Sequence, residues 1–477
     1  MTESREGNSP VLKTELARKV VHIGMGAFAL LLRWMVPWQA ILMACSGLVI
    51  NVFFLHRMTG NRLLRLDERK RRFSLGIAAY PAILLLVFVI FRSRLELAAG
   101  IWGLLAVGDG LAAVVGLTLG GPVLRWNPKK RWTGLIAFVV FGTMASAFLI
   151  RWTQHALISG SGRHLGPVTW VGDSFLPDGI VDLSLSLSLL VSCALAALAA
   201  ALAESLRTSL DDNLLVPIVG GAVLAAATVV EPFRIAENMP LLTEGALVGF
   251  AITVPLAVLT YWMRCVDRSG AIGGTILGIA LFTFEGGGGL LMLAGLVALG
   301  SAATWLTHFR IDALGMIVNK GSIRGAINVF ANAGAGVAFA FLSIATAHGE
   351  MFTLAMVAAF ATATFDTTAS EIGVSFGRRH VLVSTFETVP RGTDGAISVE
   401  GTLAGVAASL LMAGLAWRVG LVSGIGVPVV VAGSFLGSML ESCIGGILGP
   451  GRDHHLLNLA NTIAGAGAAC WIYVYLT

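Results

Sequence analysis

The sequence is built from long apolar segments, each of roughly twenty residues, that alternate with short polar ones. A helix needs about 20 predominantly apolar residues to cross the hydrocarbon core of a bilayer. Charged residues make up only 12% of the 477 residues, whereas soluble domains carry about 25%. Because too little polar surface remains for a water-soluble particle of this size, the chain is predicted to be an all-α polytopic membrane protein.

About fifteen transmembrane spans are predicted on this basis. They lie near 20–36, 38–56, 74–91, 97–118, 132–150, 182–203, 213–230, 241–262, 270–284, 287–306, 325–347, 352–370, 400–418, 424–444 and 457–476. The ninth span is short and is predicted to be a half-helix or a re-entrant segment. The glycines Gly286–Gly289 that follow it predict a turn or a hinge.

The distribution of Lys and Arg predicts the orientation. When the N-terminus is placed in the cytoplasm, 25 of the 32 basic residues fall in the inside loops, as the positive-inside rule requires. The C-terminus is then outside, and no cleavable signal precedes the first span. A net charge of +5, spread over short loops, indicates membrane orientation rather than nucleic-acid binding. We therefore predict a bacterial-type inner or plasma membrane protein, with membrane domains 1–235 and 236–477.

Ionisable residues inside or beside the spans are candidate functional groups, because a charge in lipid is costly. In the first half the most constrained of them is Asp109, in the interior of the fourth span and flanked by Gly108 and Gly110, which leave room for a ligand or another backbone. By the same alternation, the other candidates face the cytoplasm. They are Arg18, Lys19, His22, Lys129, Lys130, Arg131, Glu204, Asp211, Asp212 and Asn213.

Carboxylates and an amide beside a lysine cluster predict chemistry on a magnesium–nucleoside triphosphate complex. Mg²⁺ binds through one or two carboxylates together with phosphate oxygens, and phosphoryl transfer depends mostly on positioning and charge neutralisation. Alternative interpretations remain open at this point. Lys129–Arg131 could bind lipid headgroups as a topology determinant, His22 could be an interface residue, and Asp211–Asn213 could cap a helix.

The second half has its own polar groups at span ends. Asp366 and Glu371 are five residues apart, about 140° around a helix, and need not share a face unless the helix breaks between them. The further candidates are Arg324, Asn332, Arg391, Asp394, Glu441, Asn458 and Asn461. The alternative for the amides is hydrogen bonding between neighbouring helices.

Residues 15–230 resemble the phytol kinase and dolichol kinase family, membrane enzymes that phosphorylate isoprenoid alcohols with CTP. The matching stretches are ELARKVVHIG, VGDGLAAVVG, NPKKRWTGLIAFVVFG and ESLRTSLDDNLLVP, in the same order and spacing. The resemblance implies a site for CTP and Mg²⁺. It suggests Asp109, Glu204 and Asp212 as catalytic residues, the first and last of them as metal ligands. It also suggests nucleotide or phosphate contacts from Arg18, His22, Asn127, Lys129, Lys130 and Asn213.

Residues 265–477 resemble a different membrane family, which includes phytyl-phosphate kinase. The matching stretches are DRSGAIGGTILG, KGSIRGAINVFANAG, FDTTASEIG, VPRGTDGAISVEGTLAG and SMLESCIGG. The candidates for catalysis there are Asp366, Glu371, Asp394 and Glu441, with Asp366 as a metal ligand. Those for phosphate binding are Arg324, Asn332, Arg391, Asn458 and Asn461.

Together the two resemblances imply a bifunctional isoprenoid alcohol kinase. The first half would make the monophosphate and the second half the diphosphate, at sites that face the cytoplasm. The expected partners are the alcohol, its monophosphate, a nucleoside triphosphate and membrane lipids, with no nucleic acid; an oligomer is compatible with the sequence. Two alternatives are a nucleotidyltransferase that makes a CDP-lipid and a transporter of lipid intermediates. A transporter should place its charges near the midplane rather than toward one face.

Overall fold

A computed structural model describes residues 10–54, 75–158, 183–206, 211–313, 324–448 and 454–476. Residues 57–72, between the second and third predicted spans, and most of residues 152–181, between the fifth and sixth, lie outside these ranges. The chain divides into two compact units, Met1–Val229 and Val230–Thr477.

The first unit is a bundle of helices with one small hairpin. Its elements are α1 (Pro10–Met25), a 3₁₀ helix (Gly26–Trp34), α2 (Pro37–Val49), a π-helical turn (Ile50–Phe54), α3 (Leu75–Ile90), α4 (Leu95–Gly103), a π-helical turn (Leu104–Asp109), α5 (Gly110–Thr118), β1 (Val123–Leu124), β2 (Asn127–Arg131), α6 (Trp132–Ile158), α7 (Leu183–Ser205) and α8 (Asp212–Val229).

The continuous helical segment 95–118 forms the centre of this unit. Every residue of α4 is buried, and all but Glu96 are apolar, as expected for a helix that is surrounded by other helices. Small residues allow α6 to approach it closely. A Cβ on Gly103 would meet the backbone carbonyl of Ala145 at 3.0 Å, and one on Gly134 would meet the carbonyl oxygen of Ala112 at 2.8 Å.

The second unit is also helical. Its elements are α9 (Pro232–Trp262), α10 (Arg268–Ala313), α11 (Ala326–Ala345), α12 (Gly349–Phe376), β3 (Val381–Leu382), β4 (Ala396–Ile397), α13 (Val399–Arg418), α14 (Gly426–Leu448) and α15 (His454–Leu476). Helix α12 is central and packs against α10, α11, α13, α14 and α15. All of its residues from Leu354 to Phe365 are buried.

The prediction of an all-α membrane protein is confirmed. Twelve helices among the described residues are long and apolar enough to cross a membrane. The predicted spans 270–284 and 287–306 are two helical segments within the range given for α10. They are separated at Gly286, where the backbone (φ 61°, ψ −151°) is not helical and adopts a conformation that glycine tolerates without strain, as the predicted turn or hinge requires. The two short hairpins, β1–β2 and β3–β4, were not predicted. The exact number of crossings and the orientation of the termini stay predictions.

Candidate active site

Asp109 lies on the most buried helix of the first unit, where that helix widens into a π-helical turn. Such turns are frequent at functional sites because they redirect side chains. The side chain is only 1% exposed, and its Oδ2 atom is 2.7 Å from Lys19 Nζ and 3.4 Å from His22 Nε2. Its other oxygen, Oδ1, is buried and has no hydrogen-bond partner among the described residues. The predicted intramembrane carboxylate is thus neutralised on one side and open to a further ligand on the other.

His22 is held in place by Leu105 and Tyr80, in addition to its contact with Asp109. Its Nε2 atom is 2.8 Å from the carbonyl oxygen of Leu105, and its ring meets the Tyr80 ring edge to face at 4.7 Å. Because the Leu105 carbonyl and the Asp109 carboxylate are both acceptors, Nε2 carries the proton. Tyr80 is fixed in turn by a 2.8 Å hydrogen bond from Trp102 Nε1 to its hydroxyl.

Lys130 reaches the site from the β1–β2 hairpin. Its ammonium is 2.5 Å from Glu204 Oε1 and 3.0 Å from Asp212 Oδ2. Burial alone would lower the pKa of Lys130, but these two carboxylates hold it above its usual range. The ammonium therefore stays charged at neutral pH.

Asn127 anchors the hairpin to the end of α7. Its amide nitrogen donates to the Ser205 carbonyl at 3.0 Å, and its amide oxygen accepts from the Lys129 backbone N–H at 3.2 Å. Trp126 Nε1 donates to the Ser205 hydroxyl at 3.0 Å. Asn127 therefore acts here by fixing the strand that carries Lys130.

Three carboxylates from three helical segments converge on this place. Asp109, Glu204 and Asp212 each offer one oxygen, and the three atoms lie within 4.8 Å of one another. Hard oxygen ligands suit Mg²⁺, and the open Oδ1 of Asp109 is a buried acceptor that a cation would satisfy. The residues present therefore fit a divalent cation, which Asp109, Glu204 and Asp212 would hold.

Other predicted residues of the first half lie around this cluster. Lys129 is exposed. Asp211 caps α8, because its Oδ1 atom accepts the Asn213 backbone N–H at 2.9 Å. Arg18, His22 and Asn213 line a neighbouring cavity.

The glycines beside Asp109 do not leave space for a ligand, contrary to one part of the expectation. A Cβ on Gly110 would collide with Ile23, and one on Gly108 would meet the Phe138 ring at 2.9 Å. The room that these glycines provide is taken by neighbouring helices.

In the second unit, Asp366 on the central helix α12 neighbours Glu441 of α14, within reach of its carboxyl group. Asn461 of α15 donates to Glu441 Oε2 at 3.1 Å, and its own amide oxygen is buried without a partner among the described residues. Nearby, Asn458 donates to Asn332 Oδ1 at 3.2 Å. The amides thus connect α11, α14 and α15, as helix-bridging amides do, while grouping around two carboxyl groups.

Glu371 lies apart from this group. Helix α12 continues unbroken through both acids, and Glu371 instead accepts from Thr304 and Thr307 of α10 at 3.2 and 3.0 Å. The angular separation read from the sequence is therefore seen in the structure. Arg324 lies beside α10 over Gly300; burial lowers its pKa, against the attraction of Glu371.

The loop between α12 and α13 holds Arg391 and Asp394. Arg391 donates to the carbonyl oxygens of Gly377 and Ser375, at 2.7 and 3.3 Å, and so closes the end of α12. Asp394 is half-buried. The next residue, Gly395, has φ 76° and packs directly on the Gly446 backbone.

Among the side chains that take part in these arrangements, several were not singled out from the sequence, including Tyr80, Ser205, Thr304 and Thr307. Tyr80 could have been noticed, since only four tyrosines occur in the chain and this one lies in the middle of an apolar segment. The hydroxyl residues carry no comparable signal, because Ser and Thr are common in membrane helices.

Comparisons with known proteins place the chain among membrane proteins. The family described as integral membrane protein DUF92 matches residues 251–456. The uncharacterised membrane protein sll0875 of Synechocystis is 35% identical over 47% of this chain and 87% of its own length. Protein VTE6 of Arabidopsis thaliana, a chloroplastic protein, is 36% identical over 38% of this chain.

A more distant relative is phytol kinase 1, a chloroplastic protein of Arabidopsis thaliana, 25% identical over 29% of this chain. The matches span about half of the lengths of VTE6 and phytol kinase 1, 55% and 49%. No solved structure matches the chain significantly.

Proposed function

This chain belongs to the DUF92 family of integral membrane proteins, and on that premise we propose that it is a membrane phosphotransferase acting on isoprenoid substrates. Its similarity to phytol kinase 1 supports a kinase. In the finer proposal the enzyme is bifunctional. The first unit converts an isoprenoid alcohol into its monophosphate, and the second converts the monophosphate into the diphosphate, with CTP as the phosphoryl donor.

The observation that carries the proposal is the convergence of Asp109, Glu204 and Asp212 on Lys130. Phosphoryl transfer requires charge neutralisation around the transferred group and a positioned nucleophile, and little else from the protein. The three carboxylates outnumber the two ammonium groups, Lys19 and Lys130, that contact them. The site therefore has capacity for a divalent cation and, with it, for a triphosphate.

In the proposed first reaction the alcohol oxygen attacks the γ-phosphorus of CTP. A new P–O bond forms while the bond from the γ-phosphorus to the bridging oxygen breaks, which leaves CDP. Asp109 orients the hydroxyl and receives its proton. Lys130 moves from the carboxylates to the phosphates, and Lys129 meets the outer phosphates from its exposed position. Mg²⁺, bound by the three carboxylates, would neutralise charge on the phosphates.

The proposed second reaction needs a different site. A phosphate monoester has a second pKa near about 6, so its attacking oxygen is already ionised at neutral pH and a general base is not essential. For the second reaction, charge neutralisation and hydrogen-bond donors around the phosphates therefore matter more than a general base. Asn332, Asn458 and Asn461 supply amides around the Asp366–Glu441 pair. Two neighbouring carboxylates repel each other, and a cation held between Asp366 and Glu441 would remove that repulsion, which is the proposed role of Asp366 as a metal ligand.

The proposed location of both sites is the cytoplasmic face of a bacterial-type plasma membrane, where CTP is available. This proposed orientation rests on the distribution of Lys and Arg between alternate loops. The monophosphate would then stay in the same leaflet between the two reactions.

The test is incubation of the purified protein in nanodiscs with γ-labelled CTP, Mg²⁺ and phytol or farnesol. The proposal expects labelled lipid monophosphate and diphosphate, with CDP as the by-product. Release of pyrophosphate with a CDP-lipid would identify a nucleotidyltransferase instead. If no isoprenoid alcohol is labelled with any nucleoside triphosphate, the proposed function is wrong.

A further inference from the structure

The first unit contains a cavity of about 800 Å³ that is lined mainly by α1, its 3₁₀ extension, α2 and α3. Its wall is mostly apolar, with Met25, Phe28, Leu42, Leu84 and Phe88 among the lining residues. Ligand pockets of this volume commonly hold a single small molecule. None of the groups discussed in the phosphoryl-transfer cluster fills it.

One end of the cavity is polar and adjoins the carboxylate cluster. His22 lines this end and is also 3.4 Å from Asp109 Oδ2. Arg18 and Asn213 line the same end. The cavity then follows one face of the first helix, where residues 18, 21, 22, 25 and 28 recur at helical spacing. The ten helical steps from Arg18 to Phe28 span about 15 Å or more.

The cavity opens sideways, on the surface that a bilayer would cover. The lining side chains Val21, Phe28 and Trp38 are 48, 47 and 63% exposed. They belong to membrane-spanning segments of the predicted topology, so an apolar ligand could enter from the lipid without crossing water.

From this arrangement we infer that the cavity binds the chain of one isoprenoid alcohol, with its hydroxyl at the His22 end and its tail toward Phe28 and Phe88. The inference rests on the proposed kinase function. It adds where the lipid substrate binds and how long the chain of that substrate can be. At the packing density of protein interiors a carbon of the chain occupies roughly 25–30 Å³. The cavity therefore has room for a chain of up to roughly 30 carbons, and the 20-carbon geranylgeraniol lies within this limit.

The chemistry of the polar end favours an alcohol over a bilayer phospholipid. A hydroxyl can donate a hydrogen bond to a carboxylate, and Asp109, Glu204 and Asp212 gather beyond His22. A phosphodiester headgroup would bring negative charge next to these carboxylates, which is unfavourable in a low-dielectric site.

The first experiment maps the cavity in the full-length protein without relying on activity. A photoreactive diazirine analogue of geranylgeraniol is cross-linked in nanodiscs, and the labelled peptides are identified by mass spectrometry. The inference expects labelling within residues 21–50 and 80–88, reduced by excess geranylgeraniol. Labelling confined to other segments, or protection by phosphatidylglycerol but not by the alcohol, would overturn it.

The second experiment narrows the cavity at Gly47. This residue lines it, and a Cβ there makes only an ordinary 3.6 Å contact with Pro81, so a larger side chain would extend into the open space. Gly47→Phe is expected to lower kcat/KM for geranylgeraniol at least tenfold more than for the ten-carbon geraniol. Val49→Phe adds the same ring to the exposed side of α2 and should leave both values within twofold.

An equal loss for both chain lengths in a Gly47→Phe protein that still cross-links normally would contradict the inference. The two proposals can fail separately. Labelling of the cavity without any phosphorylated product would refute the kinase and keep the lipid site. Phosphorylation with labelling elsewhere would refute the lipid site and keep the kinase.

Discussion

Replacement of Lys130 by glutamine tests whether this one residue of the basic run belongs to the active site. Its ammonium contacts Glu204 Oε1 at 2.5 Å and Asp212 Oδ2 at 3.0 Å. Glu204 is 8% exposed, so its carboxylate would lose its counter-charge in a buried place. Removal of one partner of a fully buried pair costs about 3–5 kcal/mol. Because the Lys130 side chain is 31% exposed, we expect the lower end, about 3 kcal/mol of unfolding free energy.

Lys130→Gln should also lower the turnover number, as an effect separate from the loss of stability. Loss of a preorganised charge on the transferred phosphoryl group reduces turnover by about 10²–10³-fold. Monophosphate formation from labelled CTP should fall by this factor in Lys130→Gln. The matched control is Arg125→Gln, because Arg125 is an exposed basic residue in the turn of the same hairpin; its activity should stay within a few-fold of the wild type. Equal activities for the two variants would refute the site and favour a shared role in binding lipid headgroups.

Three further predictions follow from the geometry. Chelation with EDTA should abolish monophosphate formation and Mg²⁺ should restore it, because Asp109, Glu204 and Asp212 place three carboxylate oxygens together; activity that persists in EDTA would exclude the cation. Asn127→Ala should raise the KM for CTP several-fold more than it lowers kcat, because the hairpin loses its bonds to α7; an unchanged KM would show that the hairpin does not need this anchor. Arg391→Ala should lower the unfolding free energy by about 1.5–3 kcal/mol, the value of charge-assisted hydrogen bonds to carbonyls; an unaltered thermal transition would contradict that role.

Much of the helical architecture could be predicted from hydropathy, because the need to cover the bilayer core imposes apolar segments of fixed length. The need of Asp109 for a counter-charge followed from the same physics, and Lys19 supplies that charge at 2.7 Å. The separate environments of Asp366 and Glu371 followed from helical geometry alone. These inferences need only local sequence.

The remaining features depend on contacts between distant residues. The hairpin decides which residue of the Lys129–Arg131 run points into the site. Asn127 holds this hairpin against Ser205, which is 78 positions away in the sequence. The same holds for the π-helical turn that carries Asp109 and for the space beside Gly110, which Ile23 occupies. No local pattern in the sequence specifies any of these.

The central claim is that two separate sites carry out consecutive phosphorylations, and the most direct test compares the products of two single variants. With labelled CTP and an isoprenoid alcohol, Asp109→Asn should lose monophosphate formation by about 10²–10⁴-fold while still converting added monophosphate into diphosphate. Asp366→Asn should make the monophosphate and let it accumulate. Glu96→Gln, which alters a buried carboxylate of α4 paired with Arg94, controls for the loss of a charge in the same bundle. If Asp109→Asn and Asp366→Asn lose the same step, the division of labour between the two units is wrong.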